Sequence, residues 1–177
     1  MEIALLEPER GEDPELVRQL TALINDVYAA SETGLWLRDA ARTSATDVAE
    51  FIRAGEVAVA SRDGRIVGSV RIHDVGPGVS EFGLLVAAPA DQGTGVGRAL
   101  LDFVEGDGRE RGLRAVQLEL LSPRERPHPS KEFLKDWYGR RGYRVIRTES
   151  PGVRYPGLAA MLATPCELEI REKELRD

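Results

Sequence analysis

Three glycines spaced two residues apart form the segment whose residue types and spacing best indicate chemistry. An apolar run of strand length, Leu84 to Ala88, stops at Pro89, and Gly93, Gly95 and Gly97 come after a short polar turn and open a pattern of helical period. Such a turn places several backbone N–H groups at a helix N-terminus, which is a site for an anionic phosphate group. Glycine suits the turn because a side chain would block a pyrophosphate and because the backbone can then adopt a positive φ. We therefore predict a phosphate-binding turn.

Known phosphate-binding turns differ in the residues that come after the glycines. A Walker P-loop is excluded because Gly97 is followed by Arg98 and Ala99 instead of a Lys-Ser/Thr pair. A dinucleotide fingerprint is disfavoured because the third glycine comes one residue early and the strand ends too far upstream. An ordinary glycine-rich connection without a ligand remains the alternative at this point.

The glycine segment resembles a turn known from one enzyme superfamily. Gln92-Gly93-Thr94-Gly95-Val96-Gly97 is similar to the Gln/Arg-x-x-Gly-x-Gly/Ala turn of the GNAT superfamily of acyl-CoA N-acyltransferases. The family holds the pyrophosphate of coenzyme A on the amides of this turn. The resemblance therefore implies that acetyl-CoA is the cosubstrate. The cofactor-binding residues that it implies are Ala87, whose amide or that of a neighbour would bond the thioester carbonyl, and Gln92, Gly93, Thr94, Gly95, Val96, Gly97 and Arg98.

A second motif lies further along the chain. The segment from Phe133 to Tyr143 is similar to the "aromatic-Tyr-x-x-x-Gly-aromatic" end of the fourth GNAT helix. The resemblance implies that Tyr138 donates a proton to the coenzyme A sulfur. A phenol with an ordinary pKa of about 10 is a reasonable acid for a thiolate whose thiol titrates at about 8 to 9. The alternative is that Trp137 and Tyr138 only pack the helix against the sheet.

A carboxylate on the strand before the glycine turn is a candidate base. Many family members use such a group to take the substrate proton through water, and Glu81 occupies that position here. Strand alternation predicts that Glu81 shares one face with Leu85 and Ala87. Glu119 on the following strand is a weaker candidate, bulk solvent is a third, and a solvated glutamate at a strand start is the alternative to any catalytic role.

Several further residues are candidates of lower weight. Many family members have a pantetheine-binding asparagine after the strand that ends at Leu121, but Ser122 and Pro123 occupy those positions here. The basic loop beyond it and the residues just after it offer three cations to the 3′-phosphate of coenzyme A or to the substrate, although we favour the alternative of a solvated loop. A histidine in such a loop could act as a local base, but lone histidines are more often inert. The residues concerned are Arg124, Arg126, Lys131, His128 and His73.

Acceptor choice is predicted to depend on the segment between the first two helices. Gly34 to Leu37 would line an acceptor pocket or, in the interpretation that we favour, lie in the core. The nearby Arg38 and Arg42 would suit an acceptor that carries a carboxylate, such as an amino acid or a peptide.

Composition narrows the class of protein. The chain has 177 residues, 42% of them hydrophobic and 31% charged, which predicts one domain spanning 1–177. No apolar run approaches the roughly 20 residues of a membrane span, and no signal peptide is recognised. The net charge of −6 disfavours nucleic acid or an anionic membrane as a partner. One cysteine, Cys166, and two histidines leave little for a metal site, and the single cysteine suits the reducing cytoplasm.

The elements that must position these residues are predicted from periodicity and turn signals. The pattern predicts the order β-α-α-β-β-β-α-β-α-β-β, with helix N-caps at Asp13, Thr46 and Ser130 and a tight hairpin at Asp63-Gly64. This is the order of the GNAT fold. We therefore expect an α/β (α+β) protein whose mixed sheet of about seven strands is flanked by about four helices and splays between its central strands.

These observations together predict an acyl-CoA-dependent N-acetyltransferase. The acceptor would be a primary amine of a small molecule or peptide, acetylated by direct transfer with no metal. A route through Cys166 is disfavoured because that residue lies in the last strand, far in sequence from the glycine turn. The alternatives are a coenzyme A-binding regulatory or interaction module without turnover and a nucleotide-binding domain of another superfamily. An exposed edge of the C-terminal strand would be a surface for a homodimer.

Overall fold

A mixed seven-stranded sheet organises the chain in the computed structural model, which describes residues 1–37 and 41–175. The strands lie in the order β1-β2-β3-β4-β5-β7-β6. Their bounds are β1 Glu2–Leu5, β2 Val57–Arg62, β3 Arg65–Gly76, β4 Val79–Ala87, β5 Ala115–Pro123, β6 Arg144–Glu149 and β7 Cys166–Glu174. The last strand in the sequence, β7, is paired on both sides, so the prediction that it has an exposed edge is wrong; the edge beside it is β6.

Four longer helices and two short ones cover the sheet in the part of the chain that the structure describes. Their bounds are α1 Pro14–Ser31, α2 Ala45–Arg53, α3 Val96–Glu110, α4 Pro129–Arg140, α5 Pro151–Arg154 and α6 Pro156–Ala159. Short 3-10 turns at Pro8–Glu12 and Pro89–Asp91 precede α1 and the glycine segment. The order of strands and longer helices predicted from the sequence is confirmed, and the two short helices lie between β6 and β7.

Each face of the sheet has its own hydrophobic core. On one face α3 and α4 pack through residues such as Leu100 and Tyr138 against strands β3 to β5. On the other face α1 and α2 pack through Leu20 and Ile52 against β2 and the end of β4, where Val86 is buried. Burying an apolar side chain contributes about 1.5–3 kcal/mol, so the two cores hold β4 firmly from both sides.

The central strands β4 and β5 separate partway along their length. They pair in parallel only from Val79–Ala115 to Phe82–Leu118, whereas β4 continues to Ala87 and β5 to Pro123. Beyond the separation β5 stays paired with β7 over its whole length, and β4 stays paired with β3. The predicted splay is therefore present, and it leaves the last residues of β4 without a partner on the β5 side.

A bulge at Leu84 changes which side chains of β4 share a face. Leu84 has a φ of +49°, and the register with β3 moves from Arg71–Gly83 to Ser69–Val86 across it. The bulge inserts an extra residue. As a result Leu85 packs with the α3–α4 core, whereas Leu84 packs with the α1–α2 core. The prediction that Glu81 shares a face with Leu85 and Ala87 is therefore wrong, because unbroken alternation was assumed.

Two of the predicted helix caps are also wrong. Asp13 caps α1 by accepting from the amides of Glu15 and Leu16, as predicted. Ser44, however, caps α2 in a reciprocal capping box with Asp47, where the sequence pattern favoured Thr46. In α4 the N-cap position belongs to His128, whose side chain makes no capping bond, and Ser130 instead donates to the carbonyl of Ser31 at 2.5 Å.

The segment after α1 belongs to the core. Leu35 is buried, and Trp36 packs with Leu121, Cys166 and Leu168 in a small third cluster. The Trp36 indole N–H donates to the Glu32 carboxylate at 2.8 Å. This agrees with the core interpretation favoured for Gly34 to Leu37 at Leu35 and Trp36, whereas Gly34 and Leu37 are exposed. Arg38 lies outside the described residues.

Candidate functional site

The glycine turn presents a run of unpartnered backbone amides. Gly93 and Gly95 have φ values of +76° and +91°, a left-handed conformation that side chains disfavour. Gly95 is the N-cap of α3, so the first amides of the helix lack intrahelical partners. Among the described residues no backbone carbonyl accepts from five of these amides, those of Gly93, Gly95, Val96, Gly97 and Arg98. The positive end of the α3 dipole adds to their attraction for an anion.

A buried carboxylate fixes the start of this turn. Asp91 is 4% exposed and is paired with Arg62 at 3.0 Å and Arg65 at 2.9 Å, both from the β2–β3 hairpin. The Thr94 hydroxyl donates to the Asp91 carbonyl at 2.7 Å and accepts from Arg62 at 3.4 Å. Thr94 is thus a brace within the turn, and nothing in the sequence motif indicates the two arginines.

A cleft of about 520 Å³ joins the glycine turn to β4 and α4. Its walls are formed by the turn from Asp91 to Arg98, by Leu85 and Ala87 of β4, and by Phe133, Trp137 and Tyr138 of α4. The amide of Ala88 donates to the Val67 carbonyl on β3. Because successive amides of a strand point to opposite sides, the Ala87 amide points away from β3, toward the gap that β5 leaves.

Tyr138 lies in the same cleft. Its ring is packed 5.9 Å from Phe82 and 5.8 Å from Tyr143, measured between ring centroids, and the residue is almost fully buried. Burial raises the pKa of the Tyr138 phenol, which therefore stays protonated throughout the physiological range. None of the described residues accepts a hydrogen bond from its hydroxyl. Tyr138 thus both packs the core and contributes a protonated phenol to the cleft.

Glu81 lies in a second cavity, of about 490 Å³, which β4 separates from the first. The residue is 7% exposed, and its Oε2 accepts a hydrogen bond from Gln117 Nε2 at 2.7 Å. Burial raises the pKa of the Glu81 carboxyl, with a further contribution from Glu119, against the opposing effects of Gln117 and Arg154. A carboxylate with a raised pKa is a better proton acceptor than an ordinary one.

Four further side chains belong to this second site, and in the sequence they carry little weight or are not singled out. His73 is the cross-strand partner of Glu81, with its Nε2 3.8 Å from the Glu81 Oε1, and burial lowers the pKa of the imidazole. Glu119 is bound by the Arg154 guanidinium and accepts from the Tyr155 hydroxyl at 2.8 Å. Arg154 is the last residue of α5 and Tyr155 lies between α5 and α6, and no sequence motif singles out either residue.

The remaining candidates have structural contacts. Lys131 is buried and donates to Glu32 at 2.5 Å, which ties the start of α4 to the end of α1. Both ring nitrogens of His128 contact local oxygens, those of Thr33 and Ser130. Arg124 and Arg126 are exposed on their loop, as the solvated-loop interpretation expects. Cys166 borders a different cavity, between the α5–α6 segment and the start of β7.

The chain matches the acetyltransferase (GNAT) family over residues 20–129. This match covers more than half of the chain, so the protein belongs to the GNAT acetyltransferase family, as the resemblance in the sequence implied. The described ranges, 1–37 and 41–175, contain no group of three or more side chains arranged to hold a metal ion. Within the same ranges no helix is long and apolar enough to cross a membrane.

Solved structures share the fold at low sequence identity. A ribosomal-protein-alanine N-acetyltransferase from Brucella melitensis is 16% identical, with a TM-score of 0.69 over 98% of this chain and 99% of the other. An aminoglycoside 6′-N-acetyltransferase complexed with coenzyme A is 16% identical, with a TM-score of 0.70 over 100% and 98%. The acetyltransferase YncA from Salmonella typhimurium, described as putative and solved with acetyl-CoA, is 16% identical, with a TM-score of 0.68 over 100% and 95%. No curated protein matches the sequence.

Proposed function

We propose that the protein transfers the acetyl group of acetyl-CoA directly to a primary amine of a small molecule or peptide. The observation that carries the proposal is one cleft in which the unpartnered amides of the glycine turn, the free edge of β4 and the Tyr138 phenol converge. Two structures of the same fold carry coenzyme A or acetyl-CoA. The amides suit a pyrophosphate because each is a donor with no acceptor in the described protein.

The free edge of β4 provides the next contact. The Ala87 amide points into the gap between β4 and β5, where a thioester carbonyl would lie. A backbone donor held by two cores is preorganised, so it stabilises the negative charge that develops on the thioester oxygen without rearranging. Leu85 closes the wall between this edge and the glycine turn. Its Cδ2 lies 3.8 Å from the position that a Cβ would take if Gly97 had a side chain.

Proton transfer is assigned to two side chains on opposite sides of β4. Glu81 removes a proton from the acceptor ammonium, through water, and the amine nitrogen then attacks the carbonyl carbon. The C–N bond forms, the C–S bond breaks, and Tyr138 gives its proton to the departing sulfur. The amine loses a second proton as the amide forms, and that proton restores the phenol.

Thermal unfolding with matched ligands tests the proposal. A ligand at about 100 times its Kd adds about 2.7 kcal/mol to the free energy of unfolding, so acetyl-CoA and coenzyme A are expected to raise Tm while ATP and NAD are not. Gly95→Val should abolish the shift, since valine is strained at a φ of +91°. Gly106→Ala in the same helix is the control, because a Cβ there meets no atom within 4 Å. A shift with ATP or NAD but not with acetyl-CoA would contradict the proposal.

A further inference from the structure

The second cavity carries groups of opposite charge on its two sides. Its β4–β5 floor has the carboxylates of Glu81 and Glu119, whereas two arginines, Arg71 and Arg42, lie on the side of α2 and the segment before it together with one carboxylate, that of Asp47. This separation of charge matches a molecule that is itself both cationic and anionic. Which arginine can bind such a molecule depends on the contacts that each guanidinium already makes within the protein.

Arg71 is held rigidly with part of its guanidinium unused. Its Cζ lies 3.6 Å from the centroid of the Phe51 ring, and its Nε donates to Glu56 Oε2 at 2.8 Å. None of the described residues accepts from Nη1 or Nη2. Both Arg71 and Phe51 line the cavity, and the Arg71 side chain is about one quarter exposed. A stacked guanidinium that presents both Nη1 and Nη2 is preorganised to bind a carboxylate.

Gly83 leaves space in front of Arg71. The two residues are cross-strand partners on β3 and β4, and a Cβ built on Gly83 would meet no heavy atom within 4 Å. Its φ is outside the left-handed region, so the backbone does not require glycine here. The missing side chain therefore opens the cavity between Arg71 and Glu81.

The spacing of Arg71 and Glu81 suits a small bifunctional ligand. His73 pairs with Glu81 and Arg71 with Gly83, so Arg71 and Glu81 are diagonal neighbours on one face. Diagonal neighbours of an antiparallel pair lie about 7–8 Å apart. An ammonium near Glu81 and an anionic group at the Arg71 guanidinium would fit within that distance in one small molecule. Arg42, stacked over Tyr28 at 4.6 Å from Cζ to the ring centroid, adds positive charge on the same side.

We propose that the acceptor is a small amino acid whose carboxylate is bound by Arg71 while its amine faces Glu81. This rests on the proposed acetyltransferase function and narrows its substrate class. Arg71 is then a specificity-determining residue that touches the acceptor, and a peptide acetylated at its N-terminus would lack the carboxylate at the required position.

The test compares three arms with acetyl-CoA as donor: free amino acids, their α-amides and the decarboxylated amines, each monitored by thiol release. The wild-type protein should favour its best free amino acid over the matching amide by about tenfold or more in kcat/KM. Arg71→Gln should lower kcat/KM for the free acid about ten- to hundredfold and change that for the amide by less than about threefold. Arg18→Gln, on the exposed surface of α1, is the charge-matched control and should change neither.

The outcomes separate this inference from the proposed function. Equal rates with acids, amides and plain amines, or no acetylation of any free amino acid, would overturn the inference even if acetyl-CoA raises Tm. Failure of acetyl-CoA to bind would overturn the function itself. The wild-type comparison does not depend on the variant folding, and the acetyl-CoA shift of Arg71→Gln shows whether its cofactor cleft is intact.

Discussion

The cleft proposed to bind acetyl-CoA, called here the cofactor cleft, and the cavity proposed to bind the amine, called here the acceptor cavity, lie on opposite sides of β4 and are built in different ways. The cofactor cleft presents mainly backbone amides, from Gly93 to Arg98 and at Ala87, together with one phenol. The acceptor cavity presents side chains, among them Glu81, His73 and Arg71. The bulge at Leu84 separates them, because it sends Leu85 and Ala87 to one core and leaves Glu81 on the other side.

This difference indicates that cofactor binding, unlike acceptor binding, depends on a particular backbone conformation. Backbone donors at a left-handed turn require glycine, so the cofactor cleft has a recognisable sequence motif. Side chains contributed by β3, β4, β5 and the short helices require only that the strands align, and many sequences satisfy that condition. The acceptor cavity is thus the part of the site that can change substrate without altering the cofactor cleft.

The largest expected effect on activity is that of removing the Tyr138 hydroxyl, which separates the chemical role of this residue from its packing role in the cofactor cleft. Tyr138→Phe should lower kcat by about 10²–10³, since it removes the proposed general acid while the ring keeps its contacts with Phe82. The change in Tm should be small, because the lost hydroxyl has no protein partner among the described residues. Steady-state kinetics with saturating acetyl-CoA measure the effect.

Tyr143→Phe is the matched control for this substitution. The Tyr143 hydroxyl contacts Glu105 at 3.4 Å, on the α3 side of the core. Its removal should leave kcat within about twofold of the wild type and reduce stability by about 1 kcal/mol. Equal losses of activity in both variants would mean that Tyr138 acts only through packing.

A smaller effect is expected on the acceptor side. Glu81→Gln should lower kcat by about 10–10², and it should remove the acid limb of the pH profile. The base must be ionised to act, and burial raises the pKa of Glu81 above its ordinary value of 4.5. Wild-type kcat should therefore fall as the pH drops through that raised pKa.

The pH profile distinguishes Glu81 from the neighbouring carboxylate. Glu119→Gln removes a charge from the same cavity but should keep the acid limb, shifted to lower pH because Glu119 raises the pKa of Glu81. If the limb instead persists in Glu81→Gln and disappears in Glu119→Gln, Glu119 is the base.

The cofactor side of the molecule is more completely predictable from the sequence than the acceptor side. The order of strands and longer helices and the left-handed glycines at positions 93 and 95 can be inferred from local patterns, and the splay follows from the resemblance to the GNAT fold. The bulge at Leu84 cannot, because a leucine at positive φ has no local cause and is imposed by the cores on both sides of β4.

Register also explains why local patterns do not single out His73. Counting back from the β3–β4 turn without irregularities pairs Asp74 with Glu81. A register shift between Asp74 and Gly76 instead places His73 opposite Glu81. Similarly, the contacts of Arg154 and Tyr155 with Glu119 join residues 35 and 36 positions apart, a distance over which no periodicity carries information.

The separation of the two sites by β4 is tested most directly with the variant Gly83→Leu. Its affinity for acetyl-CoA is measured by calorimetry, and its turnover of the acceptor is measured by steady-state kinetics. A leucine here has open space before it and no backbone strain, so the protein should fold. The account predicts an acetyl-CoA Kd within about twofold of the wild type and a loss of about tenfold or more in kcat/KM for the acceptor, as expected when a side chain occupies a substrate site. A comparable loss of acetyl-CoA affinity, or unchanged turnover, would contradict it.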